Sequence, residues 1–365
     1  MKVTIVGAGS AGLSTAIVIK GQFNADVTIL EQAKENDTPG LGVALLPYAL
    51  NELRKISSEG SQSYVDSFLL IDHVTEIFAG HDRNSDLIKK YRAQDTQYWG
   101  VKRSTLLAFL TEAAQRAGVK IEYDCNVSEY RVRQERELSD LLIGADGAGS
   151  VVRNTYSREF IPRGEESKSR YAWLELDGTL DHFIFGYIYV VGKGLIRISA
   201  YPHSKQESSA IITHSRGLTN YFDEADMIES DGSISESGMK AINAIFANGL
   251  GGRKLTGKSR WRRFRATHCQ RAAFGTVALV GDAYATLHYE TGWGTSTAIQ
   301  ESKTLIHALV KGKTVEDGLE IYNTKSIEIT RGAITATTRT MREIDGQSAR
   351  FFQLGAAKFL RLRTP

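Results

Sequence analysis

The order of apolar and polar positions at the start of the chain predicts a strand, a helix and a second strand. Residues 2–7 (KVTIVG) are short, apolar and β-branched, which is typical of a buried parallel strand. Residues 11–20 continue with a helical pattern, and residues 26–31 (DVTILE) predict the second strand. Because a strand–helix–strand unit forms a right-handed crossover between parallel strands, this segment predicts a parallel sheet.

The middle of the chain departs from this pattern, which later returns. Residues 104–117 (STLLAFLTEAAQRA) predict an amphipathic helix with Ser104 as its N-cap, and the apolar run 141–145 (LLIGA) predicts another strand. Between about 160 and 270 the segments are short, aromatic and β-branched and are separated by turn residues, as in an antiparallel sheet. The run FGTVALVG then restores the parallel-strand pattern before a helix at about 295–310.

These elements predict an α/β fold. A Rossmann-type domain with a parallel sheet is interrupted by an antiparallel β-rich substrate domain and is followed by C-terminal helices. The expected limits are residues 1–70, 97–158 and 271–312 for the nucleotide-binding domain, 71–96 and 159–270 for the substrate domain, and 313–365 for the C-terminal helical segment.

Composition and charge exclude few classes of protein. A length of 365 residues predicts two domains, or one domain with a sizeable insertion. Contents of 42% hydrophobic and 24% charged residues are ordinary for a soluble globular enzyme. A net charge of +3 gives no argument for nucleic-acid binding. Cys125 and Cys269 fit no disulfide framework or metal-ligand spacing, so we expect reduced thiols in a cytoplasmic protein without a metal site. Residues 3–19 are uncharged, but the glycines at their centre argue against a membrane segment.

The strongest motif is the glycine-rich turn after the first strand, residues 7–12 (GAGSAG). Gly7 permits the tight turn, Gly9 lets the backbone approach a pyrophosphate, and Gly12 lets the helix pack closely on the sheet. The helix N-terminus offers N–H donors to phosphate, and Glu31 ends the second strand where a carboxylate binds a ribose hydroxyl. The motif predicts a dinucleotide site without separating FAD from NAD; an unliganded packing turn is the alternative.

Two further elements lie at predicted strand ends. Residues 146–153 (DGAGSVVR) place a carboxylate and closely approaching backbone at the crevice edge, where Arg153 is expected to hold Asp146 or to meet a phosphate. After the strand TVALV, Asp282 in the segment GDA is placed to bind a ribityl hydroxyl. The flexible GWG run at 292–294 opens a helix whose N-terminus suits the anionic edge of a reduced flavin ring. Each piece alone is also compatible with an ordinary strand–turn–helix joint.

Together the three elements (GxGxxG near the start, DGxxSxxR in the middle and GDA late) resemble the three-part signature of the single-component (group A) FAD-dependent aromatic hydroxylases. Many members have a proline-rich stretch after GDA, whereas this chain has His288-Tyr289-x-x-Gly292-x-Gly294-Thr295. That variant resembles the subgroup that contains salicylyl-CoA 5-hydroxylase, 2-aminobenzoyl-CoA monooxygenase and the tryptophan hydroxylase of violacein biosynthesis.

The resemblance extends to two shorter segments. Gly100-Val101-x-Arg103 resembles the family segment whose arginine lies beside the FAD phosphates, and Leu41-Gly42-Val43 resembles the loop near the isoalloxazine ring. The candidate cofactor-binding residues are therefore Gly7, Gly9, Ala11, Gly12, Glu31, Gly42, Val43, Arg103, Asp146, Gly147, Arg153, Gly281, Asp282, Gly292, Gly294 and Thr295.

The resemblance also implies a reaction. NAD(P)H reduces FAD, and a flavin C4a-hydroperoxide formed with O2 hydroxylates an electron-rich ring in a dry pocket. His288 and Tyr289 are the candidate catalytic residues because they precede the glycine turn; a histidine there is able to hydrogen-bond or deprotonate the substrate, and a structural histidine is the alternative. Aromatic residues of the substrate domain are expected either to roof the pocket or to pack the sheet: Tyr171, Trp173, Phe183, Phe185, Tyr187, Tyr189 and Tyr201.

The expected partner is a small aromatic substrate, either a free aromatic or indole compound or a CoA or carrier-protein thioester. The arginines of residues 260–265 (RWRRFR) are able to bind the phosphate of a thioester substrate, but the same pattern is typical of a strand with one solvent-exposed face. The alternative functions are a flavin-dependent halogenase, whose usual WxWxIP marker is absent from the chain, an FAD-dependent dehydrogenase without oxygen activation, and a non-catalytic relative. A monomer or homodimer without nucleic-acid or membrane partners is expected.

Overall fold

The fold was determined from a computed structural model, which describes residues 1–35, 37, 41–56, 62–80, 87–92, 97–190, 194–224, 226–247 and 249–361. The strands of this part of the chain are β1 (Lys2–Val6), β2 (Asp26–Leu30), β3 (Gly42–Leu45), β4 (Leu69–Ile71), β5 (His73–Gly80), β6 (Leu87–Arg92), β7 (Tyr98–Lys102), β8 (Lys120–Glu122), β9 (Leu141–Gly144), β10 (Pro162–Leu176), β11 (Phe183–Val190), β12 (Gly194–Pro202), β13 (Ser208–His214), β14 (Leu255–Thr256), β15 (Arg262–Cys269), β16 (Ala273–Phe274) and β17 (Val277–Leu279). The α-helices are α1 (Ser10–Gln22), α2 (Pro47–Ile56), α3 (Gln62–Asp66), α4 (Arg103–Arg116), α5 (Glu129–Leu138), α6 (Val151–Thr155), α7 (Ser157–Phe160), α8 (Thr219–Phe222), α9 (Glu236–Phe246), α10 (Gly294–Lys311) and α11 (Val315–Arg361).

The first sheet is the predicted parallel sheet, with strand order β16-β17-β9-β1-β2-β8. β1 pairs in parallel with β2 and β9, and β17 pairs in parallel with β9, while β16 joins β17 antiparallel. Successive residues Val3 to Val6 are all buried, which requires cover on both faces of the sheet and explains the uninterrupted apolar run. The expected α/β fold is therefore confirmed.

The second sheet has the order β14-β10-β13-β12-β11-β5-β6, and β15 also pairs with β10. Its pairs are antiparallel except for β11 with β5, which run parallel. Successive side chains of its strands point to opposite faces of the sheet. Ile196 and Ile198 lie in an apolar core with Phe246 of α9, whereas Ser199 and Tyr201 face a large cavity. The aromatic, β-branched pattern thus forms a two-faced sheet, as expected.

Two local expectations differ from the structure. Helix α4 begins at Arg103, one residue before Ser104, and no side chain caps it. Strand β7 runs directly into the helix and the first helical N–H, that of Arg103, donates to the carbonyl of Leu41 at 2.9 Å, so a serine cap is not required. Helix α9, N-capped by Ser235, lies inside the region whose sequence predicts only strands, because the sheet needs apolar cover on its far face.

Helix α11 contacts both sheets. Tyr322 donates its hydroxyl to the carbonyl of Leu279 at 3.0 Å, and Asn323 bonds the backbone of Ala273. Several helical turns further along α11, the carboxylate of Asp345 accepts hydrogen bonds from Ser167, Lys168 and Ser169 of β10. Within the described ranges, no helix combines the length and apolarity needed to cross a bilayer.

Candidate functional site

Three loops that are distant in sequence meet at the carboxyl edge of the parallel sheet. They follow β1, β9 and β17, which are neighbouring strands. Gly7 has φ +102°, and a β-carbon there would lie 2.5 Å from the carbonyl oxygen of Ala145. Gly281 has φ +62°, and a β-carbon there would lie 2.8 Å from the β-carbon of Ala11. Glycine is required at both positions because φ is positive and because a β-carbon would meet the backbone of Ala145 in one case and the side chain of Ala11 in the other.

Other glycines at the same edge border open space. A β-carbon at Gly9, Gly147 or Gly294 would meet no atom within 4 Å, and all three residues line the large cavity. Gly9 caps α1 and Gly294 is the first residue of α10, and neither helix has a side-chain cap at its N-terminus. Two helix N-termini with N–H groups not bonded by capping side chains therefore open towards one cavity, which suits the anionic groups of a dinucleotide. The residues present fit an FAD molecule.

Glu31 ends β2 beside the glycine turn. Its carboxylate accepts hydrogen bonds from the backbone N–H groups of Ala8 at 2.6 Å and Ala33 at 2.8 Å, and the residue is half-buried. These bonds fix the carboxylate at the strand end where a ribose is expected. Glu31 itself does not line the cavity.

Arg153 makes contacts other than the expected one with Asp146. It is 5% exposed and does not hold Asp146, whose carboxylate instead accepts from the N–H of Val151 at 2.6 Å. The Arg153 guanidinium donates to the carbonyl of Ala283 at 3.1 Å and to that of Ala148. The guanidinium therefore joins the second loop to the third.

Asp282 lines the cavity and is exposed to it. The surrounding protein raises the pKa of Asp282 to about 6, although the guanidinium groups of Arg103 and Arg153 oppose this shift. Arg103 lines the same cavity. A carboxylate and a guanidinium therefore face the volume that the glycine loops border.

Glu301 lies beneath the Gly281 turn, and its protonation should make the stability of the protein depend on pH. The N–H of Gly281 donates to its Oε2 at 2.6 Å, and burial raises the pKa of Glu301 to about 8. The folded protein thus binds this proton more tightly than the unfolded chain, whose carboxyl has the ordinary value of 4.5. The free energy of unfolding should therefore fall as pH rises from about 4.5 through about 8.

Urea unfolding of the apoprotein at about pH 5, 7 and 9 measures this slope. Glu301→Gln, which is uncharged throughout, should flatten it, while Glu316→Gln on the exposed first turn of α11 should not. Equal slopes in the two variants would contradict the assignment.

The cavity has a volume of about 840 Å³ and extends from the three loops to the inner face of the second sheet. Of the candidate cofactor residues, those that line it are Gly9, Ala11, Gly42, Val43, Arg103, Gly147, Asp282, Gly292, Gly294 and Thr295. Those that lie behind the lining are Gly7, Gly12, Glu31, Asp146, Arg153 and Gly281. The set therefore divides into residues that face the cavity and residues that hold the loops in place.

An aromatic chamber forms the far part of the cavity. Its walls are five of the aromatic residues expected there: Tyr171, Trp173, Phe183, Phe185 and Tyr201. Tyr187 and Tyr189 are not among the lining residues; Tyr187 stacks on Phe78 with ring centroids 4.9 Å apart. The loop that carries Gly42 is fixed to the chamber, because the Gly42 N–H donates to Ser209 Oγ at 2.8 Å and its carbonyl accepts from the Tyr201 hydroxyl at 2.9 Å.

His288 does not reach the chamber, contrary to the expectation for its side chain. It is 1% exposed, its Nδ1 accepts the Glu290 N–H at 3.3 Å, and its ring packs edge-on against Phe264. Burial, together with the charge of Arg197, lowers the pKa of His288 to about 3, so the ring is neutral at physiological pH. The 3₁₀ turn from Tyr289 to Thr291 places successive side chains in different directions, and His288 points away from the cavity. Its position supports the structural alternative.

Tyr289 does line the chamber. Its hydroxyl shares a 2.9 Å hydrogen bond with Thr213 Oγ1, and its ring lies 4.6 Å from that of Tyr171. Burial and the neighbouring Glu290 carboxylate raise the pKa of Tyr289 well above its ordinary value. The phenol therefore stays neutral and acts through hydrogen bonding.

A buried ion pair at the chamber was not predicted. Glu290 lines the cavity, and its carboxylate contacts the guanidinium of Arg197, whose side chain is 6% exposed. Arg197 also lies 4.8 Å from the centre of the Tyr187 ring. An arginine inside the otherwise apolar strand LIRISAY is the one sequence signal for such a pair, because a buried arginine needs an anion.

Among the described residues there is no cluster of three or more potential metal ligands.

Comparison with known proteins identifies relatives along most of the chain. The sequence profile of the family described as "FAD binding domain" matches residues 1–337. The 3-hydroxy-4-methyl-anthranilyl-(aryl-carrier protein) 5-monooxygenase of Streptosporangium sibiricum is 28% identical over 325 residues, 88% of this chain and 83% of that protein. The salicyloyl-CoA 5-hydroxylase of Streptomyces sp. is 27% identical over 338 residues, 88% of this chain and 61% of that protein.

A solved structure shows the same fold. The tetrameric form of 2-methyl-3-hydroxypyridine-5-carboxylic acid oxygenase aligns with a TM-score of 0.70 at 21% identity and covers 94% of this chain and 92% of that one.

Proposed function

Because this chain belongs to the family of FAD-binding-domain proteins whose profile matches residues 1–337, we propose that it is an FAD-dependent monooxygenase that hydroxylates an electron-rich aromatic substrate with NAD(P)H and O2. The resemblance to the subgroup with the salicyloyl-CoA enzyme is confirmed. The observation that carries the proposal is the single cavity, which joins the dinucleotide loops to a chamber with aromatic walls. A halogenase or an oxygen-independent dehydrogenase is not favoured by the relatives.

The loop residues are assigned to FAD by their position. Gly9 and the N-terminus of α1 bind the pyrophosphate, since they combine open backbone with N–H groups free of side-chain caps. Glu31, which two backbone N–H groups hold beside the glycine turn, binds a ribose hydroxyl. Asp282, which lines the cavity, binds the ribityl chain. Gly292, Gly294 and the N-terminus of α10 bind the pyrimidine edge of the flavin ring. When bound, FAD would accept the hydride of NAD(P)H and would activate O2.

The chain's own contribution to the reaction is orientation and the exclusion of water. The chamber surrounds an aromatic ring with aromatic side chains from β10, β11 and β12, so little water remains near the reacting atoms. Tyr289, held by Thr213, is placed to hydrogen-bond a substrate hydroxyl or amine and so to fix the ring's orientation. His288 holds the turn that carries Tyr289. The substrate is a free aromatic compound or an aryl thioester of CoA or a carrier protein, the classes named for the relatives.

Tyr289→Phe tests this orientation. The variant keeps the ring contact with Tyr171 and loses the bond to Thr213, so it should retain FAD while the yield of hydroxylated product per NAD(P)H falls about tenfold. Thr213→Val removes the same bond from the other side and should have a similar effect. Product yield and hydrogen peroxide release are measured together. Unchanged coupling in both variants would show that the hydroxyl plays no part.

The function itself is tested on the purified protein. It should be yellow, and an aromatic effector should accelerate NAD(P)H oxidation with consumption of O2 and formation of a hydroxylated product. A protein that cannot be reconstituted with FAD would refute the proposal. Appearance of added halide in the product would replace it with halogenation, and turnover without O2 would replace it with dehydrogenation.

A further inference from the structure

A cluster of cations lies at the open end of the same cavity. The residues that line this end are Asp231, Ser233, Lys258, Ser259, Arg260 and Arg262, and we call them the rim. The side chains of Lys258 and Arg260 are 72% and 57% exposed, whereas the chamber residue Tyr201 is 5% exposed. The cavity thus runs from buried aromatic walls to a charged opening.

The rim is a built part of the fold. Ser233 and Arg260 form an antiparallel bridge, and the Ile234 N–H donates to the Ser259 carbonyl at 2.8 Å. The side chain of Ser259 in turn accepts from the N–H of the chamber residue Trp173 at 3.2 Å. The rim and the chamber wall are therefore fixed to one another by hydrogen bonds.

The charges of the rim do not balance. Its single acid, Asp231, lies 2.8 Å from Lys258 and 3.9 Å from Arg260. The hydrogen bond from Lys258 is the largest of the effects that lower the pKa of Asp231, so it is ionised at physiological pH. Arg262 makes no ion pair among the described residues. One carboxylate faces three cations, and an anionic ligand would complete the arrangement.

Arg262 is the cation that is nearest to the chamber in the sheet. It is directly opposite Tyr171 in the pairing of β15 with β10, and paired residues share a face of a sheet. Phe264, two residues on, packs against His288 and Tyr289 on that same face. Arg263 points to the other face, where it pairs with Glu166 at 3.5 Å. Strand alternation thus assigns Arg262, and not Arg263, to the cavity.

We propose that the rim binds the phosphate of a phosphopantetheine tail, so that the substrate is an aryl thioester whose ring lies in the chamber. This inference rests on the proposed function. Arginine and lysine together bind phosphate through charge-assisted hydrogen bonds. A free aromatic acid small enough for the chamber would leave the excess positive charge of the rim, three cations against the one carboxylate of Asp231, without a further anion. CoA and a carrier protein both provide this phosphate, and they differ only beyond it.

The experiment uses FAD-loaded full-length protein and four probes: benzoate, benzoyl-pantetheine, benzoyl-4′-phosphopantetheine and benzoyl-CoA. Binding is followed by the change in the flavin absorption spectrum. The two phosphorylated probes should bind about tenfold more tightly than benzoyl-pantetheine, and added salt should weaken that preference. Arg262→Ala should remove most of the preference, and Lys258→Ala and Arg260→Ala part of it, without changing the affinity for benzoate.

Arg263→Ala is the matched control, because it removes an arginine from the opposite face of the same strand, and it should bind all probes as the unmodified protein does. Equal affinity for the two phosphorylated probes supports a carrier-bound substrate, and tighter binding of benzoyl-CoA supports a CoA ester. The inference is overturned if benzoyl-CoA does not bind, if it binds no better than benzoyl-pantetheine, or if Arg262→Ala and Arg263→Ala behave alike. If free aromatic effectors still accelerate NAD(P)H oxidation in that case, the proposed function stands and only this inference fails.

Discussion

Gly9→Val should yield a folded protein that no longer retains FAD. The backbone of Gly9 has φ −73° and ψ −179°, which valine adopts without strain. Its β-carbon would meet no atom of the protein within 4 Å, so the apoprotein should unfold at nearly the same temperature as the unmodified apoprotein. The added isopropyl group would occupy the space assigned to the pyrophosphate, which should weaken FAD binding at least about 100-fold.

FAD content after purification and titration of the apoprotein with FAD measure the effect. Gly21→Val is the control, because Gly21 lies in the same helix, also borders open space, and is far along α1 from its N-terminus. It should bind FAD normally. A yellow Gly9→Val protein would place the pyrophosphate elsewhere, and an unfolded one would contradict the open space at Gly9.

Arg197→Met should destabilise the protein by about 3–5 kcal/mol, the usual cost of leaving one partner of a buried ion pair alone. Burial by itself would lower the pKa of Arg197, yet the Glu290 carboxylate raises it overall, so both groups are charged in the folded protein. Methionine replaces the arginine stem but provides no cation. The carboxylate of Glu290 would then have to be buried with its main countercharge removed.

The double variant Arg197→Met/Glu290→Gln removes both charges and should regain most of the lost stability, as measured by urea unfolding. Arg170→Met breaks a more exposed pair with Asp223 on the same sheet and should cost less than about 1 kcal/mol. If Arg197→Met lowers the free energy of unfolding no more than Arg170→Met does, the Arg197–Glu290 pair contributes no more to stability than a surface ion pair. If the double variant is as unstable as the single one, the loss comes from packing around the arginine stem.

The parallel sheet and its three loops were predictable because each rests on a local pattern. Gly7, Asp146 and Asp282 follow apolar runs that form β1, β9 and β17, and neighbouring parallel strands bring their carboxyl ends together. Which aromatic residues line the chamber and which pack within the sheet was predictable only in part. Period-two alternation identifies the shared face of Phe183, Phe185 and Tyr187, but it does not show that Phe78 covers the last of them.

The directions of individual side chains were not predictable. His288 and Tyr289 are adjacent, and only a 3₁₀ turn, which no sequence pattern indicated, sends one into the core and the other into the chamber. The pairing of Arg197 with Glu290 joins β12 to that turn, so it depends on how the second sheet packs against the turn. The role of Arg153 depends in the same way on the approach of the second loop to the third. Contacts between elements far apart in sequence carry no local signal.

Helix α11 has a consequence for the order of folding during synthesis. β17 must lie beside β9 to complete the parallel sheet, and Tyr322 and Asp345 attach the helix to both sheets only after these two residues have left the ribosome. All strands of the second sheet, β5, β6 and β10 to β15, precede β17 in sequence, so this sheet is able to form while the first still lacks a strand. Such non-local pairing is slow, and the incomplete sheet exposes an unpaired edge. We therefore expect C-terminally shortened chains to aggregate and refolding to finish with the docking of α11.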